Sequence, residues 1–249
     1  MQTPGRKVVW FSCGAASAVA AKLAIDAYGD DCTVVYCDTL SSEHPDNARF
    51  FNEVQDWLGR KIEVIRSEKY RTIDDVFEKT KFMASPFGAR CTTELKKLPR
   101  EAFQDSRDTH IFGYTVEEER RASLFEDHNP TLNVEWILID RQVTKQRCLG
   151  VIEQAGIALP QMYQLGFDHN NCPGCVKSSS PGYWNKVRRH FPETFARRAA
   201  QSRAINCRLV KVDGQRVFLD ELPPTLTART MTLTAAPSVR SHSSPTVNK

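Results

Sequence analysis

Lys7-Val8-Val9-Trp10-Phe11, followed by Ser12-Cys13-Gly14-Ala15-Ala16-Ser17, is the stretch on which the reading of this chain turns. Four apolar residues in a run of five, two of them β-branched, are a buried-strand signature. Six small residues follow. Then comes Ala18–Tyr28 (AVAAKLAIDAY), rich in helix formers and stopped by Gly29. A strand that passes through small residues straight into a helix leaves the first-turn amides of that helix pointing outward. Such a loop is a ready anion site, and small side chains let a phosphate come close. The alternative is a tight turn whose small residues serve packing. The loop is neither GxxxxGK[ST] nor GxGxxG.

Working outward, Thr33–Cys37 (TVVYC) reads as a second buried strand and Asn47–Leu58 as an amphipathic helix closed by Gly59. Ile62–Ile65 is a third strand. Strand and helix alternating at this spacing imply parallel strands with helical crossovers, an α/β sheet. Ile73–Lys79 is expected to be helical, Ser85–Cys91 a loop, Thr92–Phe103 a helix, His110–Tyr114 a fourth strand and Val116–Phe125 a charged helix. Trp136–Ile139 reads as a short strand or extended arm, Thr144–Ala155 as a helix, and 181–203 as one long helix. Arg208–Val212 and Arg216–Leu219 flank Asp213-Gly214 and read as a hairpin.

At 249 residues, 41% hydrophobic and 26% charged, the chain has the composition of an ordinary globular protein large enough for a sizeable core. It has no run of 18 apolar residues, so no membrane span is expected, and its N-terminus has no signal-peptide stretch, which predicts a cytoplasmic protein. Lys+Arg exceed Asp+Glu by four. Three of those charges lie in 224–249, where ten residues are Ser or Thr and none is acidic; this segment is expected to be a disordered tail. The rest, at +1, does not have the balance of a basic nucleic-acid-binding surface.

Eight cysteines in a cytosolic chain do not suggest disulfides. Asn171-Cys172-Pro173-Gly174-Cys175 stands apart, because two thiols separated by Pro-Gly in a polar turn form a ligand knuckle. Structural zinc, a redox pair and iron–sulfur ligation all remain open on this spacing. Cys148, at Gln146-Arg147-Cys148-Leu149, is a further ligand candidate whose neighbours equally suit a core. Cys13, Cys32 and Cys37 lie in or beside strands and read as packing. Tyr183-Trp184-Asn185-Lys186 with Arg188 and Arg189 suits either packing under the knuckle or the stacking of a nucleic-acid base.

Ser12–Ser17 resembles the pyrophosphate loop, SGGxDS, of the PP-loop adenine nucleotide alpha-hydrolase superfamily. Further motifs resemble the phosphoadenosine phosphosulfate (PAPS) reductase branch, in colinear order over about residues 7–190. They are Asp38-Thr39; Arg90-Cys91-Thr92 with Lys96-Lys97; Gly113-Tyr114-Thr115 with Glu119-Arg120-Arg121-Ala122; Ile137–Asp140 with Thr144-Lys145; and Tyr163…Gly166-Phe167…Cys172-Pro173-Gly174-Cys175. The loop SCGAAS and the later YWNK are similar to a PAPS-reductase-like group often met in bacteriophages.

The resemblance implies a parallel twisted sheet with helices on both faces. It implies a nucleotide-binding domain over 1–145 and a cysteine-containing region over 146–223 packed on it. It implies an enzyme that binds an adenine nucleotide, ATP (with Mg²⁺) or a sulfonucleotide, through Ser12, Cys13, Gly14, Ala15, Ala16, Ser17, Asp38, Thr39, Gly113, Arg120 and Arg121. Sulfur-transfer or substrate-adenylating chemistry would follow, on a nucleic-acid or small-molecule acceptor. The resemblance places Cys91 near the knuckle, so that Cys91, Cys172 and Cys175, with Cys148 as a fourth, would hold a [4Fe–4S] cluster or, alternatively, zinc. Glu43-His44 resembles a helix-opening stretch and is assigned no chemistry, and His169, beside the knuckle, reads as a solvated loop residue or, alternatively, a ligand.

The departures are equally specific. Cys13 and Ala16 replace a Gly and the Asp of the loop, Cys91 is single where the reductases have a pair, and no Glu-Cys-Gly-[Ile/Leu]-His segment follows. Cys207, entering a strand-like run, lacks that context. Sulfonucleotide reduction is therefore the second expectation, and a non-catalytic nucleotide- or zinc-binding module the third.

Overall fold

The computed structural model describes residues 5–86 and 88–227. Its centre is a five-stranded sheet, every pair parallel, built from β1 (Lys7–Phe11), β2 (Cys32–Cys37), β3 (Glu63–Ile65), β6 (Thr109–Phe112) and β7 (Asn133–Glu135) in the order β3-β2-β1-β6-β7. Two-residue strands β4 (Ala84–Ser85) and β5 (Gly88–Ala89) form a small hairpin where a plain loop was expected. A second hairpin joins β8 (Val210–Val212) and β9 (Gln215–Val217) at the Asp213-Gly214 turn.

Side chains alternate across the sheet with the period of two that strands impose. Val9, Phe11, Val34, Tyr36 and Ile111 enter the larger core with α1 (Ala15–Tyr28), α2 (Asn47–Leu58), α7 (Ile137–Asp140) and α8 (Lys145–Gln154). Val8, Trp10, Val35 and Cys37 face the other way, toward Phe103 and Phe112. Helices thus cover both faces, as parallel strands buried on both sides require. The alanines of α1 at 15, 18, 20, 21 and 24 are all buried, which brings this helix close against the sheet.

A second core gathers α3 (Ile73–Thr80), Met83, Ala89, Leu95, Met162, Phe167 and the C-terminal helices α10 (Pro181–His190) and α11 (Pro192–Ala204). Arg198 of α11 is only 1% exposed, and its Nη1 donates to Asp74 of α3. The packing therefore divides the chain differently from a cut at 145/146. Helix α8 belongs to the sheet, while Tyr70–Leu95 belongs with the C-terminal region.

Three element assignments are corrected. Trp136–Ile139 is not a strand: β7 ends at Glu135 and Ile137–Asp140 is a helical turn whose three apolar side chains are all buried. The helix expected over 181–203 is two, broken at Phe191 because Pro192 supplies no amide hydrogen and starts a new helix at its first position. Within 92–103 the helix widens to a π-type stretch over Thr93–Lys97, before α5 (Leu98–Phe103). Pro99 in the next turn cannot donate to a carbonyl behind it, a physical reason for the wide turn. Of the expected tail, residues 224–227 are anchored, with Leu226 against the second core and Asn185 Nδ2 donating to its carbonyl at 2.7 Å. Residues 228–249 lie outside the described residues. No helix among the described residues is long and apolar enough to cross a membrane.

Candidate functional site

Strand order reverses between β1 and β6, so the chain leaves these neighbours in opposite directions and opens a crevice beyond their carboxyl ends. Ser12–Ser17 lies there. The Ser17 hydroxyl braces the loop from inside, accepting from Ser12 N at 3.0 Å and donating to Gly14 O at 2.9 Å. Helices α3, α8 and α10 have their first turns capped by Thr72, Thr144 and Ser180. At α1 the cap position is Gly14, with no side chain to offer; the Tyr163 hydroxyl meets the Ala15 amide at the mouth of this turn instead.

Two close approaches fix the loop. Gly113, just past β6, is packed so tightly that a Cβ there would lie 2.6 Å from Ser17 N and Cα. Cys13 adopts φ +58°, a left-handed conformation that costs a non-glycine residue about 1–2 kcal/mol. Its thiol turns into the core and donates to Asn47 O at 3.4 Å, and burial pushes its pKa up. Cys13 therefore contributes backbone, not sulfur. Asn170 Nδ2 holds the Cys13 carbonyl at 2.6 Å and Asn47 Oδ1 at 2.9 Å.

The crevice widens into a cavity of about 610 Å³. The loop, Thr39 and Gly113 form one wall. The widened helix supplies Thr92, Leu95, Lys96, Lys97 and Arg100 from a single face. Glu43 enters from the turn before α2, its carboxylate accepting from Thr39 Oγ1 at 2.5 Å and Asn47 Nδ2 at 2.6 Å. Burial works against charge on Lys96, but Glu43 and the thiols of Cys172, Cys37 and Cys175 raise its pKa overall. Lys96 is thus held as a cation between a carboxylate and the cysteines.

Cys91, Cys172 and Cys175 line the same cavity. Burial pushes Cys172 up to about 12 and raises Cys91, and the three thiols act on one another electrostatically. Gly174 permits the tight knuckle with φ +70°, and Tyr183 Oη accepts from Cys175 N at 2.7 Å. Trp184 is fully buried beneath, its Nε1 donating to Ser178 O. Tyr183 and Trp184 therefore pack under the knuckle. The three thiols share this cavity with Lys96 and Lys177, and soft donors of this kind suit zinc or an iron–sulfur cluster. They do not close on a single ion: among the described residues no three His, Cys, Asp or Glu side chains are gathered to hold one.

Not every expected residue arrives. Cys148 is sealed in the core where α8 packs on α1, its pKa pushed up to about 12 by burial, apart from the other three thiols. Asp38 does not line the cavity; it accepts from Arg66 Nε at 2.7 Å and from Leu40 N in a turn. Arg121 reaches the rim, stacked 4.3 Å over Tyr114 and paired with Glu118, whereas Arg120 does not line the cavity. Cys207 Sγ donates to Ala84 O at 3.7 Å and packs in the second core, away from the cavity. Cavity-lining residues to which the sequence reading gave no site role include Glu43, Arg100, Tyr163, Asn170 and Lys177, and His169 lines the cavity as well. The one available signal was the spacing of Lys96 and Arg100, four apart on one helix.

No known family profile matches the chain, and no curated protein matches it. Among solved structures it is similar to phosphoadenylyl-sulfate (PAPS) reductase from Candida auris in its phosphate complex. The identity is 9%, the TM-score 0.48, and the match covers 69% of this chain and 82% of that one. A likeness this distant carries no functional assignment.

Proposed function

We propose that this chain is a PP-loop enzyme of the PAPS-reductase-like group, binding an adenine nucleotide at Ser12–Ser17 and carrying out sulfur-transfer or substrate-adenylating chemistry. The observation that carries the reading is the loop of small residues opening α1 at the switch point of the sheet, on the same cavity as three thiols. The first-turn amides would stabilise charge developing on phosphate.

A [4Fe–4S] cluster on Cys91, Cys172 and Cys175 would supply electrons or a sulfur-handling iron. Zinc on the same thiols is the alternative. The chain's own part would be to offset the negative charge there with Lys96 and Lys177. Sulfonucleotide reduction stays second, because Cys207, the sole cysteine after the knuckle, packs away from the cavity.

The test is anaerobic purification with iron, sulfide and zinc analysis, followed by calorimetric titration with ADP and ATP. Iron and acid-labile sulfide with saturable nucleotide binding are expected. A colourless zinc protein would overturn the cofactor, and failure to bind any adenine nucleotide would overturn the enzyme reading.

A further inference from the structure

Two arginines are buried among the described residues, and the fold treats them differently. Both leave Nε unpartnered, but Arg198 Nη1 is matched by the Asp74 carboxylate and Gln201. Arg100 is 8% exposed, no carboxylate of the described residues is paired with it, and its Nε is buried without a hydrogen-bond partner. Its guanidinium carbon lies 5.7 Å from the ring centres of Phe112 and Phe125, which hold the planar fork in place without neutralising it. Burial depresses its pKa, with only Glu101, Cys37 and Tyr114 opposing from nearby. A guanidinium taken from water and left unpaired is costly unless something else completes it. Gln104 Oε1, one turn on, is also without a donor. Pairing it with Arg100 Nε would still leave the terminal edge of the fork to face the cavity.

Arg100 lines the nucleotide cavity, where six cationic side chains (Lys96, Lys97, Arg100, Arg121, Lys145, Lys177) meet three carboxylates (Glu43, Glu117, Glu118). Glu118 is already taken by Arg121, and Glu117 accepts from Lys145 N. The wall carrying Arg100 is thus short of negative charge, and a guanidinium fork matches phosphate or sulfate oxygens bidentately.

We infer that Arg100 is a specificity-determining residue that receives a second anionic group, a phosphate or sulfate, of a ligand whose first is seated on the Ser12–Ser17 loop. This rests on the nucleotide reading above and narrows it to polyanionic adenine nucleotides. The second group has two sources, the phosphate chain itself or a separate ester on the ribose.

Wild type, Arg100→Leu, Arg100→Lys and Gln104→Leu are titrated with AMP, ADP and adenosine 3′,5′-bisphosphate. Charge-assisted hydrogen bonds predict that Arg100→Leu loses about 10- to 100-fold in affinity for ADP or for the bisphosphate while AMP changes by less than about threefold. Loss for ADP identifies the chain as the source, and loss for the bisphosphate identifies the ribose ester. Arg100→Lys should recover part of the loss, and Gln104→Leu should bind as wild type. Equal weakening of all three ligands, or none, overturns the proposal. If wild type binds no nucleotide, the enzyme reading falls separately, and thermal shift with inorganic pyrophosphate decides: stabilisation of wild type but not Arg100→Leu retains the subsite, and any other pattern removes it.

Discussion

The two walls of the cavity are made in different ways. The loop wall comes from six consecutive residues, shaped by backbone conformation and by the absence of side chains at Gly14 and Gly113. The thiol wall is assembled from Cys91, Lys96, Cys172, Cys175 and Lys177, brought together from segments some 75 residues apart in sequence, and it is held by side chains such as Arg198. One wall is fixed by local geometry and the sheet beneath it, the other by long-range ionic and aromatic contacts. A backbone-built site should resist side-chain changes elsewhere and fail by steric intrusion. A side-chain-built site should fail when one buried partner is removed.

The largest expected effect is on the second wall. Asp74→Ala strands Arg198, 1% exposed, with Gln201 alone. Breaking a buried pair costs about 3–5 kcal/mol, and the partial exposure of Asp74 puts this at about 3. Hydrogen exchange should show lost protection in 172–204 with β1, β2 and β6 unchanged; uniform loss across the sheet would erase the distinction between the walls. The same pair gives an acid limit. The Asp74 carboxyl is held below its ordinary 3.8 because Arg198 and Gln201 outweigh its burial, so its contribution is complete above that value and lost as pH falls beneath it.

Gly113→Ala comes next. A methyl group 2.6 Å from the Ser17 backbone forces the loop aside, at about 1–3 kcal/mol of stability for overpacking. ADP affinity should collapse while iron content, read in the same sample, is retained. Joint loss of both would mean the walls are one cooperative unit.

His110 offers a smaller, pH-dependent comparison within the sheet. Burial and then Arg100 depress its pKa below 6.5, and its Nδ1 accepts from Trp10 Nε1 at 3.1 Å. A depressed histidine stabilises fully above the unfolded value and loses that contribution as pH falls below it. Lowering pH from about 7.5 to 5.5 should therefore reduce Tm by a few degrees, with a change in Trp10 fluorescence. His110→Gln should flatten that dependence; an unchanged slope would assign it to other groups. Cys148→Ala should have the least effect on the site. A cost of about 1 kcal/mol for the lost core contact is expected, with metal and sulfide content as in wild type. Loss of metal would restore Cys148 to the ligand set.

Sequence made the loop wall legible because its signals are local. Lys7–Phe11 and Thr33–Cys37 are buried on both faces and read as apolar runs, and the small residues that follow β1 are adjacent in the chain. Trp136–Ile139 was misread because four apolar residues carry no period long enough to tell a strand from a helical turn. Pro192 was visible, yet apolar and basic residues continue in helical spacing on both sides of it. Arg100 was invisible, because a charged residue on a helix reads as solvated until Phe112 and Phe125 are folded over it from elsewhere. Cys148 is the doubtful fourth ligand in one dimension, and its burial in the core with α1 sets it apart from Cys172.

Asn170 is fastened at once to the carbonyl of Cys13, the loop residue with a left-handed backbone, and to Asn47 at the head of α2, and it stands two residues before Cys172. Loop, helix and cysteine turn thus share a single pin. A ligand that shifts the loop by a fraction of an ångström need not send its message through the sheet: the thiols sit one side chain away, and occupancy on one wall becomes geometry on the other.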